Sequence, residues 1–174
     1  MSNHIPTYID PIALIDKRKY LLGVLPISAM VRLQEEILAC DEGTKIDLSF
    51  HKEGRIGIIA GSITADVSLQ CQRCLKPMTL KIERVVSLAV VASVDEAQRL
   101  PERYDPLILN SEKIAISDLV EDELLLALPM IAHHQQCKPV DFKPKSIAQS
   151  GQDDPRTEQE NPFEILKQLR KTGE

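Results

Sequence analysis

Cys71-Gln72-Arg73-Cys74 lies between two stretches in which apolar and polar residues alternate, and this arrangement decides the fold. The stretch before it carries an apolar or small residue at every second position: Ile59, Gly61, Ile63, Ala65, Val67 and Leu69. The stretch after it continues the alternation with Met78, Leu80 and Ile82. A period of two is typical of strands with one buried face. The sequence therefore predicts two strands joined by a turn that contains the C-x-x-C.

Further strand signals lie on both sides of this pair. Residues 46–50 alternate before a turn at Lys52-Glu53-Gly54, and residues 107–109 predict a last short strand. We interpret Val85-Val86 as a change of phase in the alternation, which predicts a β-bulge. We expect an antiparallel, partly barrel-like sheet.

Two segments have helical spacing. One runs from an N-cap at Ser28 to about residue 39. The other spans residues 119–128, with N-cap chemistry at Ser117 and Asp118 and a stop at Pro129. The fold class predicted is α+β, with two or three helices flanking the sheet and a flexible C-terminal tail.

The composition divides the chain into three parts. Residues 1–137 form one β-rich domain, and residues 138–160 are polar and predict a flexible linker. Asn161-Pro162 then begins a short amphipathic helix over residues 161–174. Its apolar face consists of Phe163, Ile165, Leu166 and Leu169. We expect this helix to bind a partner or to pack against its own domain.

Charge and aromatic content exclude some functions. The net charge is -5 and aromatic residues make up 3% of the chain, which argues against a protein that coats nucleic acid by charge or by aromatic stacking. No apolar run reaches the roughly 20 residues of a membrane span, and no secretory signal is seen. We expect a cytoplasmic protein, where thiols stay reduced.

The cysteines and histidines have metal-ligand spacing. Cys71, Cys74, His134 and Cys137 can supply the thiolate and imidazole donors that Zn²⁺ favours. His133 is the alternative imidazole, and Cys40 stands apart. A chance C-x-x-C beside a solvated histidine pair is the competing interpretation. A redox C-x-x-C is disfavoured because strands, not a helix N-terminus, flank it.

Glu123 falls within the apolar arc of the second helix. A buried carboxylate requires a partner, and Arg73 in the C-x-x-C turn is the one we expect, with Arg84 or Arg32 as alternatives. If the helix is rotated slightly, Glu123 reaches solvent instead.

Four basic residues near the turn, Arg73, Lys76, Lys81 and Arg84, predict an RNA phosphate contact or, alternatively, a solvated strand face. The chain contains no G-x-S-x-G, Walker A or H-E-x-x-H motif, and no convincing catalytic pair. These observations predict a protein that is not an enzyme and has no small-molecule substrate.

Several motifs together resemble one family. They are Leu22-Gly23-Val24-Leu25-Pro26 with Arg32-Leu33, Cys71-Gln72-Arg73-Cys74-Leu75-Lys76-Pro77, residues 120–129 ending in Leu-Pro, a later Cys, and Asn161-Pro162-Phe163-Glu164-Ile165-Leu166. In this order they resemble the YceD family of large ribosomal RNA subunit accumulation proteins. The pattern of many family members has four cysteines, with a second pair after the Leu-Pro. Here a single Cys137 follows the Leu-Pro, with two histidines ahead of it.

The resemblance implies a non-enzymatic ribosome-biogenesis factor that supports the synthesis, processing or stability of large-subunit rRNA. The implied partners are that rRNA or a pre-ribosomal particle, with a ribosomal protein as a further partner. Two alternatives are a protein-binding adaptor with a structural zinc knuckle and an RNA-processing enzyme that uses a pair such as Glu123 and His133.

Overall fold

The computed structural model describes residues 5–40 and 42–140. The strands are β1 (Tyr8–Ile9), β2 (Tyr20–Leu25), β3 (Ala39–Cys40), β4 (Thr44–Glu53), β5 (Ile56–Gln70), β6 (Pro77–Val91), β7 (Asp105–Ile108) and β8 (Ile114–Ala115). The helices are α1 (Pro11–Asp16), α2 (Val31–Glu36), α3 (Val94–Ala97) and α4 (Ile116–Ala127), with a 3₁₀ helix at Ile27–Ala29. None of the helices in this described part is long and apolar enough to span a membrane.

The chain divides into two units, Met1–Val140 and Asp141–Glu174. All of the described residues belong to the first unit. Most of the predicted linker, and the predicted helix with Phe163, Ile165, Leu166 and Leu169, lie outside the described residues. Their proposed roles therefore stay predictions.

The main sheet has the strand order β2-β4-β5-β6-β7, with β3 beside β5, and β1 pairs with β8 separately. The α+β class is confirmed. The sheet stays open rather than closing into a barrel, since β2 and β7 are its two ends. The antiparallel prediction is wrong for β6 and β7, which run parallel. Residues 92–104, which include α3, make the long connection that a parallel pair requires.

Alternation along β4, β5 and β6 builds the inner face of the sheet, and a smaller cluster that includes Ile58 is buried on the other face. Phe50, Ile59, Ile63 and Val86 are fully or almost fully buried, and α4 packs against the inner face of β5 and β6. The β5–β6 register runs without interruption from Gly57↔Val90 to Gln70↔Pro77. The predicted β-bulge is therefore wrong: Arg84 occupies an inward-facing position, and its charge only imitates a change of phase.

The helix boundaries differ from those predicted near the N-terminus. Pro11 begins α1, a helix that the sequence analysis did not predict, and the Asp10 carboxylate caps it by accepting a hydrogen bond from the Ala13 N–H at 2.9 Å. The helix predicted from Ser28 is shorter, and Ser28 itself lies in the 3₁₀ helix. Helix α4 begins one turn earlier than predicted, so Ser117 and Asp118 lie in its first turn.

Candidate metal centre

The turn between β5 and β6 holds the C-x-x-C pair. The Cys71 N–H donates to the Lys76 carbonyl at 2.9 Å, and the Leu75 N–H donates to the Cys71 carbonyl at 2.8 Å. Leu75 adopts a left-handed conformation, with φ of 59°, to close the loop. A tight turn of this kind brings two cysteines three positions apart toward one point.

The segment after α4 returns across this turn. Pro129 follows the end of the helix, and the chain then forms backbone hydrogen bonds with the turn on both sides of the predicted ligands. The Gln72 N–H donates to the Ala132 carbonyl at 2.8 Å, and the Val140 N–H donates to the Arg73 carbonyl at 3.2 Å. These two bonds enclose His134 and Cys137, so ordinary backbone pairing delivers both ligands to the turn.

The four predicted ligands converge. Their donor atoms all lie within 4.8 Å of one another. The two thiol sulfurs of Cys71 and Cys137 are 3.8 Å apart, and the Cys74 Sγ is 3.4 Å from the His134 Nδ1. For tetrahedral Zn²⁺, Zn–S and Zn–N bond lengths imply spacings of about 3.8 Å between two sulfurs and about 3.5 Å between sulfur and nitrogen. The cluster therefore fits a metal ion, as predicted.

The choice between the two histidines is also clear. His134 is half-buried in the cluster, whereas His133 is exposed and its Nδ1 lies 3.2 Å from the His134 carbonyl oxygen. The Cys71–Cys137 sulfur separation is far beyond a disulfide bond of about 2.05 Å, and all four cysteines are free thiols. Cys40 lies in β3, outside the cluster.

The electrostatics of the cluster suit a cation. Burial alone raises the pKa of Cys71, but hydrogen bonds from the backbone N–H groups of Cys74, His134 and Arg73 outweigh it and lower that pKa to about 5. Burial and hydrogen bonds with Cys71 and Cys74 raise the pKa of Cys137. The lowered pKa favours the thiolate form of Cys71, and soft anionic donors with an imidazole are the set that Zn²⁺ prefers.

Glu123 is buried as expected, with 5% of its surface exposed, so the alternative of a solvent-exposed side chain is wrong. The expected partner is wrong as well. Its Oε2 accepts a hydrogen bond from the Arg84 Nε at 2.7 Å, whereas Arg73 is exposed in the turn. Arg84, named as an alternative, faces α4 from the inner side of β6, and its interaction with Glu123 raises the pKa of its guanidinium.

Glu121 is a second buried carboxylate that sequence reasoning missed, with 4% of its surface exposed. Its Oε1 accepts the Leu33 backbone N–H at 2.9 Å, and its Oε2 accepts the Arg32 Nε at 2.9 Å. Helix α2 has no side-chain cap of its own at Met30, so Glu121 serves as its cap from α4. The residue before Val31 is a poor helix cap, and this is the sequence signal that another part of the chain caps α2.

The four predicted RNA-contact residues do not share one surface. Arg73 and Lys76 are exposed in the turn, and Lys81 is exposed on the outer face of β6, 3.8 Å from Glu83. Arg84 lies on the opposite face and binds Glu123 and Asp105. Lys138, which the prediction omitted, lines a cleft of about 570 Å³ together with Lys76.

Fold and site define an α+β protein with an open sheet, whose central hairpin turn is tied to the segment after α4 by two backbone hydrogen bonds and carries with it a cysteine–histidine cluster that could hold a metal ion. The family model described as large ribosomal RNA subunit accumulation protein YceD matches residues 59–170. The chain belongs to the YceD family, which confirms the resemblance noted in the sequence.

A relative from Haemophilus influenzae bears the name "Large ribosomal RNA subunit accumulation protein YceD". It is 33% identical over 132 residues, which cover 75% of this chain and 76% of the relative. No solved structure matches the chain. The printed name describes the accumulation of an RNA and does not name a reaction.

Proposed function

We propose that this chain is a non-enzymatic, cytoplasmic ribosome-biogenesis factor that supports the synthesis, processing or stability of large-subunit rRNA, of the 23S type. It contacts that RNA through the metal-centred turn, with Arg73, Lys76 and Lys138 binding phosphates. Residues 161–174, through their apolar face, add a contact to a ribosomal protein of the pre-ribosomal particle.

One observation carries the RNA contact: the metal-centred end is basic in an acidic protein. Residues 70–81 and 129–140 contain no aspartate or glutamate, although the whole chain has a net charge of -5. The same two segments contain Arg73, Lys76, Lys81 and Lys138. Phosphate contacts need cations without competing carboxylates, so this end is where an otherwise acidic protein can approach RNA.

The geometry supports simultaneous phosphate contacts by three of these cations. The hydrogen bond from the Val140 N–H to the Arg73 carbonyl ties the segment that bears Lys138 to the turn. Lys76 and Lys138 line the same cleft, and neither of them is in an ion pair among the described residues. Lys81 is set apart by Glu83, and Arg84 is engaged by Glu123, so we leave both out of the proposed contact.

The metal in this proposal is structural. Catalytic zinc sites keep one position open for water or substrate, whereas structural sites have four protein donors. Cys71, Cys74, His134 and Cys137 supply all four donors. The alternative of an enzyme using Glu123 with His133 has no supporting observation, since the Glu123 carboxylate is bound by Arg84.

The test is binding of the purified, zinc-loaded full chain to transcribed fragments of precursor large-subunit rRNA over a range of salt concentrations. The variant carries Arg73→Gln, Lys76→Gln and Lys138→Gln. Its affinity should fall, and the slope of log K against log salt should decrease by about 2 to 3, because each lost phosphate contact removes roughly 0.7 to 0.9. Incubation of the same RNA with the wild type should leave it uncleaved.

The matched control is the triplet Lys17→Gln, Arg18→Gln and Lys19→Gln, which removes the same charge from an exposed basic run after α1. It should change affinity much less than the first variant. Equal losses in the two triple variants would mean that binding reflects total charge and not the metal-centred surface. Cleavage of the RNA that is lost in a Glu123→Gln variant would instead favour the enzyme.

A further inference from the structure

A cleft of about 470 Å³ lies between the end of α2 and the segment that follows α4. Apolar residues such as Leu128 and Met130 line it together with the polar side chains of Gln70 and Gln72. Among the described residues that line it, Glu36 alone is charged. A cleft of this size accommodates a few large side chains of a partner.

Large apolar side chains stand exposed around this cleft. Leu126 is 74% exposed, Met130 is 96% exposed and Ile131 is 65% exposed. Single exposed apolar residues are ordinary, but three within six positions form a patch, and such patches mark interaction sites. Glu36, Leu128 and Met130 line the cleft, and Leu126 and Ile131 are exposed neighbours of lining residues along the chain; we refer to these five residues together as the docking cleft.

The backbone beneath this patch is held in place, so the exposure is not that of an unattached loop. The Gln72 side-chain Nε2 donates to the Met130 carbonyl at 3.4 Å, and the Gln72 backbone N–H donates to the Ala132 carbonyl at 2.8 Å. Ile131 lies between these two anchors. Because Gln72 belongs to the turn that carries Cys71 and Cys74, we expect a metal bound there to strengthen these two anchors and so to reduce the entropy lost when a partner binds.

The charge of the docking cleft selects the partner. Glu36 lines it, Glu35 precedes Glu36 in α2, and both carboxylates are exposed. Asp122, one helical turn before Leu126 on the outer face of α4, adds a further negative charge. Arg32 partly neutralises it, since its Nη2 lies 2.8 Å from the Asp122 Oδ1. Acidic and apolar groups together repel an RNA backbone and suit a segment with cations beside an apolar row.

We propose that the docking cleft binds a cationic amphipathic segment of a partner protein. The apolar row of that segment packs on Leu126, Leu128 and Met130, and a lysine or arginine faces Glu36. Met130, with its flexible thioether chain, adapts to the partner's side chains. This interaction goes beyond the proposed function, because it is a protein contact and uses none of the cations assigned to RNA.

The test uses fluorescence anisotropy with three labelled synthetic peptides and the zinc-loaded full chain. The first peptide is helical, with leucines on one face and lysines on the other; the second has glutamate for lysine, and the third has serine for leucine. Only the first should bind with measurable affinity. In the double variant Leu126→Ser with Met130→Ser that affinity should fall about tenfold or more, and Glu36→Gln should lower it about threefold.

The matched control is Tyr20→Ser with Leu22→Ser, which removes two exposed apolar side chains from β2. This variant should keep the wild-type affinity, and circular dichroism should show that every variant is folded. Chelation of the metal should weaken peptide binding in the wild type. An equal loss in the control pair, equal binding of the glutamate peptide, or no binding of the lysine peptide would each overturn the proposal.

The two proposals fail separately. The Arg73, Lys76 and Lys138 triple variant should retain peptide binding, and the Leu126 and Met130 double variant should retain RNA binding. If the double variant instead loses affinity for the rRNA fragment while peptide binding is unchanged, the docking cleft belongs to the RNA surface and the protein-partner proposal is wrong.

Discussion

Helix α4 and the segment that follows it are attached to the rest of the domain by two different kinds of chemistry. Along the helix, the buried carboxylates of Glu121 and Glu123 meet Arg32 and Arg84. Beyond the helix, Cys71 and Cys74 meet His134 and Cys137. The first attachment consists of ion pairs within the chain, whereas the second combines two backbone hydrogen bonds with a cluster that a bound ion would strengthen. The helix should therefore stay docked in metal-free protein while residues 129–140 loosen.

The same comparison separates the charges. The region around α4 has both buried and exposed carboxylates. The metal-centred end, over residues 70–81 and 129–140, has cations and no carboxylates. The docking cleft therefore adjoins the proposed phosphate surface: Glu36 and Leu126 come from the helices, whereas Met130 and Ile131 belong to the metal-centred end. Breaking one attachment without the other tests whether the two surfaces are independent.

The largest effect is expected from removing a metal ligand. Cys71→Ser should abolish the binding of about one zinc ion per chain, and the unfolding free energy should fall by about 4 kcal/mol for an ion present at roughly 1,000 times its dissociation constant. Metal analysis and thermal unfolding with and without a chelator measure both. Chelation should lower the melting temperature of the wild type and leave that of Cys71→Ser unchanged.

Cys40→Ser is the control for this experiment, since Cys40 is half-buried but outside the cluster. Its zinc content should equal that of the wild type. Wild-type protein that carries no zinc and whose thiols all react freely would show that the attachment beyond α4 is not a metal centre.

Breaking the ion pair along the helix should come next. Arg84→Met leaves the Glu123 carboxylate buried without its partner and should cost about 2 to 3 kcal/mol, less than a fully buried pair because the Arg84 side chain is 34% exposed. Urea unfolding measures the loss, and zinc content should not change. The double variant Arg84→Met with Glu123→Leu should regain most of the stability, since an apolar pair replaces an ionic one. Failure to regain it would mean that Glu123 has further partners in the fold.

Arg84 also shows which features of the structure can be predicted from the sequence and which cannot. Alternation correctly predicted β4, β5, β6 and the position of the C-x-x-C in a turn, because period-two burial is a local property. The convergence of Cys71, Cys74, His134 and Cys137 was predictable from donor chemistry and spacing. The partner of Glu123 was not, because the inward-facing arginine looked like a change of phase and the pairing depends on how α4 lies across β6.

Tertiary information was missing elsewhere as well. The cap of α2 comes from Glu121, which is 88 positions away along the chain, and no local pattern describes such a contact. The parallel pairing of β7 depends on the path of residues 92–104, which composition alone describes only as polar.

A smaller effect is expected at that cap. Glu121→Ala leaves the Leu33 N–H without its acceptor and should destabilise the protein by about 1 to 2 kcal/mol, the usual cost of a lost helix cap. Hydrogen exchange should locate the change in α2. Asp122→Asn is the control, because Asp122 contacts the same Arg32 but is 59% exposed, and its loss should matter much less. Equal losses would indicate that Glu121 acts through charge and not as a cap.

The smallest effect is expected where the Tyr104 hydroxyl and the Arg103 guanidinium both donate to Glu53, a residue at the end of β4 whose side chain is 46% exposed. The hydrogen bond from Tyr104 lowers the pKa of Glu53, so the folded state favours the carboxylate. This contribution is present above the ordinary Glu pKa and is lost as pH falls through the lowered value. Tyr104→Phe should therefore unfold slightly earlier than the wild type near about pH 6, with the difference shrinking toward about pH 3 in thermal melts. If Tyr104→Phe lost as much stability as Arg84→Met, burial would not be the reason that the charged groups along α4 contribute strongly to stability.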